Sequence, residues 1–465
     1  MKKRFFLLAL GLWVLCGDCL KPAYAATAAS FQAKPLSLKS DDRLLILAPH
    51  PDDEVIACAG VIQKAVAMGL PVKIVFFTYG DNNEWSFLLY RKHPVVLPGS
   101  VRRMGLIRHD EALEAAKILH VPQDALIFLG YPDFGTLSIW NTHWGSGSVY
   151  RSIMTRVSSV PYGNAFRVGA AYKGEEILKD LEKIIGDFQP TKVFVAHPAD
   201  YIPDHRALYL FTQVALWDLE SKLQPEVFPY LVHHGRWPRP KGFHPEEYLQ
   251  PPQPLAQEIV WYQNTLTQEQ IDEKRKALRA HQTQYTYSAR YLLSFVKPNE
   301  LFGDFPPILF VPSGVSALFA REGASQLQNS SEELTEEEKA SLVGLEARSI
   351  RIERGKLVIS LAFSRPLATT VKASLYLFGY RPDKPFEQMP KIHIQFSGIT
   401  HAVYDQKHRL SRKSIAVDRS FNQITFTVPL ELLGQPQRLL TSARTYLGAV
   451  PLDWVSWRIV ILPKS

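Results

Sequence analysis

The apolar run Leu44-Leu45-Ile46-Leu47 passes directly into Ala48-Pro49-His50-Pro51-Asp52-Asp53-Glu54. Four consecutive aliphatic residues read as a strand buried on both faces, the pattern of a parallel sheet covered by helices. One imidazole and three carboxylates crowd the exit of that strand, and the carboxyl edge of an open α/β sheet is where ligands bind. Adjacent like charges repel, so a fold that keeps them together calls for a cation. His with carboxylates suits zinc, which takes nitrogen and oxygen donors in a roughly tetrahedral set. The competing explanation is an acidic first helical turn, in which Asp and Glu complement the dipole. Such a cap has no need of a proline-flanked histidine.

The chain has 465 residues, enough for two or three domains, and its 46% hydrophobic and 21% charged content is that of an ordinary globular protein. Its start combines the basic Met1-Lys2-Lys3-Arg4, an apolar run from Phe5 to Cys16 and the small-residue site Ala23-Tyr24-Ala25. That layout predicts a signal peptide over residues 1–25, cleaved after Ala25, and hence a periplasmic or secreted protein. The apolar core is short for a bilayer, so no integral span is expected after cleavage; an uncleaved anchor is the alternative. Cleavage would take Lys2, Lys3, Arg4, Lys21 and Asp18, lowering the formal charge of +8 by three. The mild basic balance left tolerates an anionic glycan or membrane surface but does not argue for nucleic acid. Cys58 would be the one cysteine left, with no disulfide partner, packed as a small hydrophobe on the next helix.

After a linker over residues 26–40, residues 41–312 alternate short apolar runs with helical periodicity, as βαβ units do. Strands are predicted at Leu44–Ala48, Val72–Thr78, Leu126–Leu129 and Lys192–His197, and helices at Val55–Met68, Ile107–Leu119, Glu175–Gly186 and Gln268–Gln282. Residues 313–345 read as a polar linker. From 346 to 465 the pattern becomes short strands, with a turn at Gly355 inside Ser349–Leu361 and further candidates at Ala373–Phe378, Lys391–Phe396, Gln423–Val428 and Ser456–Leu462. The expected fold class is therefore α/β, a Rossmann-like mostly parallel sheet, followed by an all-β sandwich.

His50 and Asp53 need a third ligand to leave one metal position for water, and the best source is Asp200-Tyr201-Ile202-Pro203-Asp204-His205, just beyond the strand ending at His197. Two strand-exit loops of one parallel sheet can meet at the same edge. Asp204 beside His205 is expected to turn toward that imidazole and fix its tautomer.

Together these segments resemble the PIG-L/LmbE-like zinc N-deacetylases, which remove acetyl groups from N-acetylglucosamine in several glycan and antibiotic settings. The resemblance runs from about Leu44 to Tyr285. His50-Pro51-Asp52-Asp53-Glu54 matches the family's first motif in full, and Pro203-Asp204-His205 matches the end of its second metal motif. Arg108-His109-Asp110-Glu111, Leu129-Gly130-Tyr131-Pro132-Asp133 and Lys276 through Gln284, with Ala280-His281, are similar to its supporting segments. The resemblance implies that His50, Asp53 and His205 bind Zn2+, that Asp52 is the general base, and that Arg108 and Asp133 hold sugar hydroxyls. Structural alternatives stand beside these: Arg108 as an ion-pair partner of Asp110 or Glu111, and Asp133 as a turn residue.

One position departs from the family. Ile202 stands where a histidine commonly donates to the oxyanion or leaving amine, and losing such a donor costs about 10²–10³ in rate. His197, His234 or His281 supplies the acid instead, or zinc suffices, or the chain is a glycan-binding homologue without catalysis. Aromatic residues at Trp85, Phe87 and Tyr90 and between Trp140 and Tyr150 are candidates for lining a sugar cleft. The expected activity is hydrolysis of the acetamide of an N-acetylated amino sugar in an envelope or extracellular glycan. A metal-dependent amidase on other acyl amines is the weaker rival, and oligomeric state stays open.

Overall fold

The computed structural model describes residues 32–82, 97–256, 259–310, 317–319 (backbone), 335–448 and 450–463. The segment predicted as a signal peptide and the aromatics Trp85, Phe87 and Tyr90 lie outside the described residues.

The N-terminal half runs β1 (Lys34–Pro35), β2 (Leu44–Ala48), α1 (Asp53–Ala67), β3 (Val72–Thr78), α2 (Pro98–Ile118), β4 (Leu126–Tyr131), α3 (Thr136–Thr142), α4 (Gly174–Phe188), β5 (Lys192–Ala196), α5 (Pro203–Asp218), β6 (Glu226–Tyr230), β7 (Trp261–Thr265), α6 (Gln268–Ala280), α7 (Gln282–Leu292) and β8 (Asn299–Gly303). These strands form one sheet in the order β1-β7-β8-β6-β5-β2-β3-β4. From β6 to β4 every pairing is parallel, while β8 runs antiparallel to β6 and β7. All five residues of β2 and of β5 are buried, as expected of central strands covered by helices. The order reverses between β2 and β5, since β3 and β4 follow on one side of β2 and β5 returns on the other. That reversal is a topological switch point, where an open α/β sheet leaves a crevice.

β2 and β3 carry the predicted bounds. α2 begins nine residues before its prediction, at Pro98, because Arg102-Arg103 and Gly105 blur its periodicity. The polar start of α5 hides that helix in the sequence. Pro203 sits in its first turn, where a missing N–H costs nothing, and Ala207, Leu208, Leu210 and Phe211 then make a buried face.

The C-terminal half comprises β9 (Ile308–Leu309), β10 (Ala317–Phe319), α8 (Glu336–Ala340), β11 (Leu345–Glu353), β12 (Lys356–Phe363), β13 (Val371–Tyr380), β14 (Lys391–Phe396), β15 (His401–Asp405), β16 (His408–Leu410), β17 (Ala416–Ser420), β18 (Gln423–Pro429), β19 (Arg438–Leu447) and β20 (Val450–Ile461). A five-stranded sheet, β10-β11-β12-β18-β17, and a seven-stranded sheet, β16-β15-β14-β13-β19-β20-β9, enclose Ile350, Leu361, Leu375, Phe396, Phe426 and Val460 between them. The β11–β12 hairpin closes through Arg354-Gly355, both at positive φ, as a two-residue turn matched to strand twist requires. Strands extend across the expected boundaries. β1 lies in the segment read as an N-terminal linker, β9 precedes residue 312 yet pairs with β20, and β10 falls inside 313–345.

The two halves share a continuous core. Trp140 and Trp144 of the α3 region pack with Phe211 of α5 and with Phe378, Phe386 and Trp457 of the sandwich. Both indoles are fully buried, which corrects the expectation that they line a sugar cleft. Tyr380 donates to Asp218 Oδ1 (2.9 Å) and Arg438 pairs with Glu220 Oε2 (2.5 Å), so the helix carrying His205 is braced at its far end.

Candidate metal and catalytic centre

The loops after β2, β3, β4, β5 and β6 converge at the switch point and deliver ionisable side chains into one place. Asp53 Oδ2 lies 3.3 Å from His50 Nδ1 and 3.2 Å from His205 Nε2. One donor atom each from His50, Asp53 and His205 falls within a 4.8 Å group. All three residues are buried, and the parallel sheet brings them together across about 150 residues of sequence, as predicted. Burial by itself would raise the Asp53 carboxyl, but the two imidazoles hold it well below the usual carboxylate range. The same burial opposes charge on His205, and Asp200 and Asp53 nevertheless lift it to about 9.

The group that orients His205 is Asp200, whose Oδ2 stands 3.2 Å from Nδ1. This corrects the expectation for Asp204. Asp204 instead accepts from Phe134 N (2.6 Å) and from the N–H and hydroxyl of Thr136, and its Oδ2 lies 3.3 Å from His50 Nε2. A buried carboxylate goes to the nearest exposed donors, and the start of α3 offers three of them. Asp200 is pinned in turn by Ile202 N, Val232 N and His233 N, which ties the loops after β5 and β6 together.

Asp52 caps α1 with φ 123°, a conformation an L-residue adopts only under constraint. The constraint is visible. Its N–H donates to Glu54 Oε2 (2.9 Å), and Glu54 Oε1 contacts His281 Nε2 at 3.1 Å. Arg108 donates from Nη2 to Pro51 O (2.6 Å) and from Nη1 to Gly80 O (2.8 Å), with Nη2 3.5 Å from Asp52 Oδ1. A side chain at Gly80 would collide with that guanidinium. Burial pushes the Asp52 carboxyl up to about 7 against the pull of Arg108. Neither Asp110 nor Glu111 pairs with Arg108. Glu111 instead receives the N–H (2.8 Å) and hydroxyl (2.6 Å) of Thr283 at the start of α7.

His50, Asp52, Arg108 and Asp133 line a pocket of about 490 Å³ with Phe134, Ile202, His233 and residues of α7. Asp133 lies in the turn after β4; it accepts from Asn82 N (2.9 Å) and sits 3.1 Å from His50 Nε2. Ile202 faces the pocket, so the family's histidine position is aliphatic at the wall itself.

The replacements named from sequence do not fill that position. His197 is enclosed by Trp261 and Phe305, where burial holds it down at about 3. His281 is engaged by Glu54, and His234 lines a neighbouring cavity. The imidazole beside Ile202 is His233, one residue from the one named. Its ring lies 5.0 Å from His205 and stacks on Tyr291, whose hydroxyl is 3.2 Å from His233 Nδ1 and donates to Val232 O (2.7 Å). Burial lowers His233 to about 4. The sequence held a signal for it, since Val227-Phe228-Pro229-Tyr230-Leu231-Val232 ends in histidine as Leu44–Leu47 nearly does, but Pro229 hid the strand.

Residues 45–216 match the family described as GlcNAc-PI de-N-acetylase, PIG-L. Over 193 residues the chain is 27% identical to 1D-myo-inositol 2-acetamido-2-deoxy-alpha-D-glucopyranoside deacetylase 1 of Saccharopolyspora erythraea, covering 39% of this chain and 55% of that protein. The chain thus spans about half the length of the curated relative it matches. Among solved structures, a conserved protein of Thermus thermophilus aligns at 21% identity and TM-score 0.34 over 59% of this chain and 99% of its own. The N,N'-diacetylchitobiose deacetylase of Pyrococcus horikoshii aligns at 21% and 0.32 over 54% and 75%. With its first motif at the exit of β2 and its second at the start of α5, the region 45–216 is a PIG-L, LmbE-like domain.

Proposed function

We propose that this chain is a zinc-dependent hydrolase that removes the acetyl group from N-acetylglucosamine-type sugars. The observation that carries the reading is the meeting of His50, Asp53 and His205 beside a strained, buried Asp52 at the switch point. The donor set fits zinc. It offers two nitrogens and one carboxylate, and Asp53 Oδ1 and His205 Nε2 are buried without a well-formed hydrogen bond. Zinc held there would polarise the amide carbonyl and acidify water.

The remaining chemistry belongs to the chain. Asp52, adjacent to the ligand Asp53 and fixed in the pocket wall by Arg108, is placed to accept a proton from the attacking water and to pass it to the amine. Water oxygen bonds to the carbonyl carbon, one water proton reaches the nitrogen through the Asp52 carboxyl as the C–N bond breaks, and the second passes from the acetic acid formed to the free amine, so that acetate and an ammonium group leave. A single group serving both steps removes the need for a histidine at Ile202. Arg108 keeps Asp52 aimed from behind through Pro51 O, and Asp133 and Phe134 border the sugar. Exported as its first residues lead one to expect, the enzyme would meet envelope or extracellular glycans.

Acetate release from N-acetylglucosamine oligosaccharides by the zinc-loaded protein, beside Asp52→Asn, tests this. The variant should bind zinc as before and lose about 10²–10⁴-fold in kcat. A protein that binds both zinc and sugar yet releases no acetate would instead be a glycan-binding homologue.

A further inference from the structure

Beside the catalytic pocket lies a second, larger cavity of about 840 Å³, and Ile202 and His233 form the wall common to both. Arg236, Arg239 and Lys241, from the loop after β6, and Arg290, from the last turn of α7, all border it, and among the described residues that line it none is acidic. Lys241 Nζ lies 4.7 Å from the Tyr291 ring, which forms part of the floor, and Arg239 is held by its Nε donating to Arg236 O (2.9 Å). The Lys241 ammonium is destabilised by partial burial and by Arg239 and Arg290 nearby, which shows how closely these cations crowd. Surface cations are usually interleaved with carboxylates. A run of like charges around one concavity raises the local concentration of the opposite charge.

We infer that this basic cavity is a subsite for an anionic group on the sugar next to the one deacetylated, so that the preferred substrate is an acidic glycan bearing a carboxylate or phosphate. The inference rests on the reading of the chain as an amino-sugar deacetylase and narrows its substrate class. The placement is the argument. A saccharide whose acetamide meets Asp52 and His50 extends over Ile202, where an aliphatic wall replaces a polar one, and its neighbouring unit enters a cavity ringed by cations. Guanidinium groups suit both oxyanions, as each presents paired N–H donors.

The test compares three disaccharide substrates on the zinc-loaded full chain: N,N'-diacetylchitobiose, glucuronate linked to N-acetylglucosamine, and a chitobiose phosphorylated on the neighbouring sugar. An anionic substrate should show at least about 10-fold higher kcat/KM than the neutral one, the value of a charge-assisted contact. That ratio should fall toward one in Arg239→Gln/Arg290→Gln and in about 0.5 M sodium chloride, where exposed charges are screened. The uronate and phosphate arms tell the two anions apart. Equal kcat/KM on all three, or a preference that survives the double variant, overturns the subsite. Calorimetric binding to Asp52→Asn keeps the two proposals separable. Tighter binding of the anionic sugar, lost in the added double substitution, upholds the subsite even if no substrate releases acetate, whereas indifferent binding removes it.

Discussion

Lys391 and Arg348 in the sandwich are as deeply buried as His50, Asp53 and His205 at the sheet edge, yet they have different neighbours. Lys391 donates to Phe386 O (2.6 Å) and Met389 O (2.8 Å) beneath the Phe386 and Trp144 rings. Arg348 donates to Thr441 O (3.0 Å) and Ser456 O (3.3 Å), and Asp453 accepts from Leu345 N and Trp454 N. Main-chain groups fixed in the fold surround these charges, and at Lys391 the Asp405 carboxylate adds its attraction. At the switch point the partners are other titratable side chains, with Asp53, Asp133, Asp200 and Asp204 around two imidazoles. Burial of charge is common to both regions. What separates a framework from a site is that the second arrangement carries an excess of one sign, which a bound cation relieves.

The largest effect should come from supplying that cation. Zinc at 100 times its Kd is expected to stabilise the folded chain by about 2.7 kcal/mol, read as a rise in Tm. His205→Ala should abolish the rise and Arg348→Met should keep it. A Tm indifferent to zinc in the native sequence would erase the proposed distinction between the two regions.

A smaller effect sharpens the assignment within the site. Asp200→Asn keeps the shape of the group facing His205 Nδ1 but weakens its hold on the tautomer, so zinc affinity should fall about 10–100-fold. An unchanged affinity, measured by competition with a chromogenic chelator, would mean that His205 is oriented by packing alone.

The sheet edge is readable to the extent that its residues follow uninterrupted apolar runs. β2 and β5 announce themselves by continuous aliphatic and aromatic residues, and so His50, Asp53 and His205 can be placed together from sequence. Pairing preferences among buried polar groups are not readable. Whether Asp200 or Asp204 meets His205 depends on which donors the start of α3 exposes, a matter of tertiary packing. His233 escapes by one residue because Pro229 interrupts the apolar run of β6, and proline inside a run argues against a central strand. The two tryptophans of the α3 region mislead for a related reason. In sequence they neighbour the site, and only the sandwich face from the other half of the chain shows that they are core.

The smallest predicted effect concerns Lys391, and it isolates the framework from the site. Lys391→Met leaves the Phe386 and Met389 carbonyls without their donor, which costs about 1–3 kcal/mol, but it also relieves the burial of a charge. Burial pulls the ammonium down to about 7, well below an unfolded lysine. Between about pH 7 and pH 10 the unfolded chain therefore holds a proton that the folded chain has released, so the stability of the native sequence rises with pH across that window. Below pH 7 both states are protonated and the full penalty applies. The neutral amine still donates to both carbonyls, so the variant's deficit should be larger at pH 9 than at pH 7, by on the order of 1 kcal/mol. Denaturant unfolding of both proteins at the two pH values measures the difference. Zinc affinity and kcat should not change, because Lys391 touches no residue of the pocket. A deficit that stays constant with pH would show that the amine is charged in the folded protein, held by its two carbonyls and two rings more strongly than burial disfavours it.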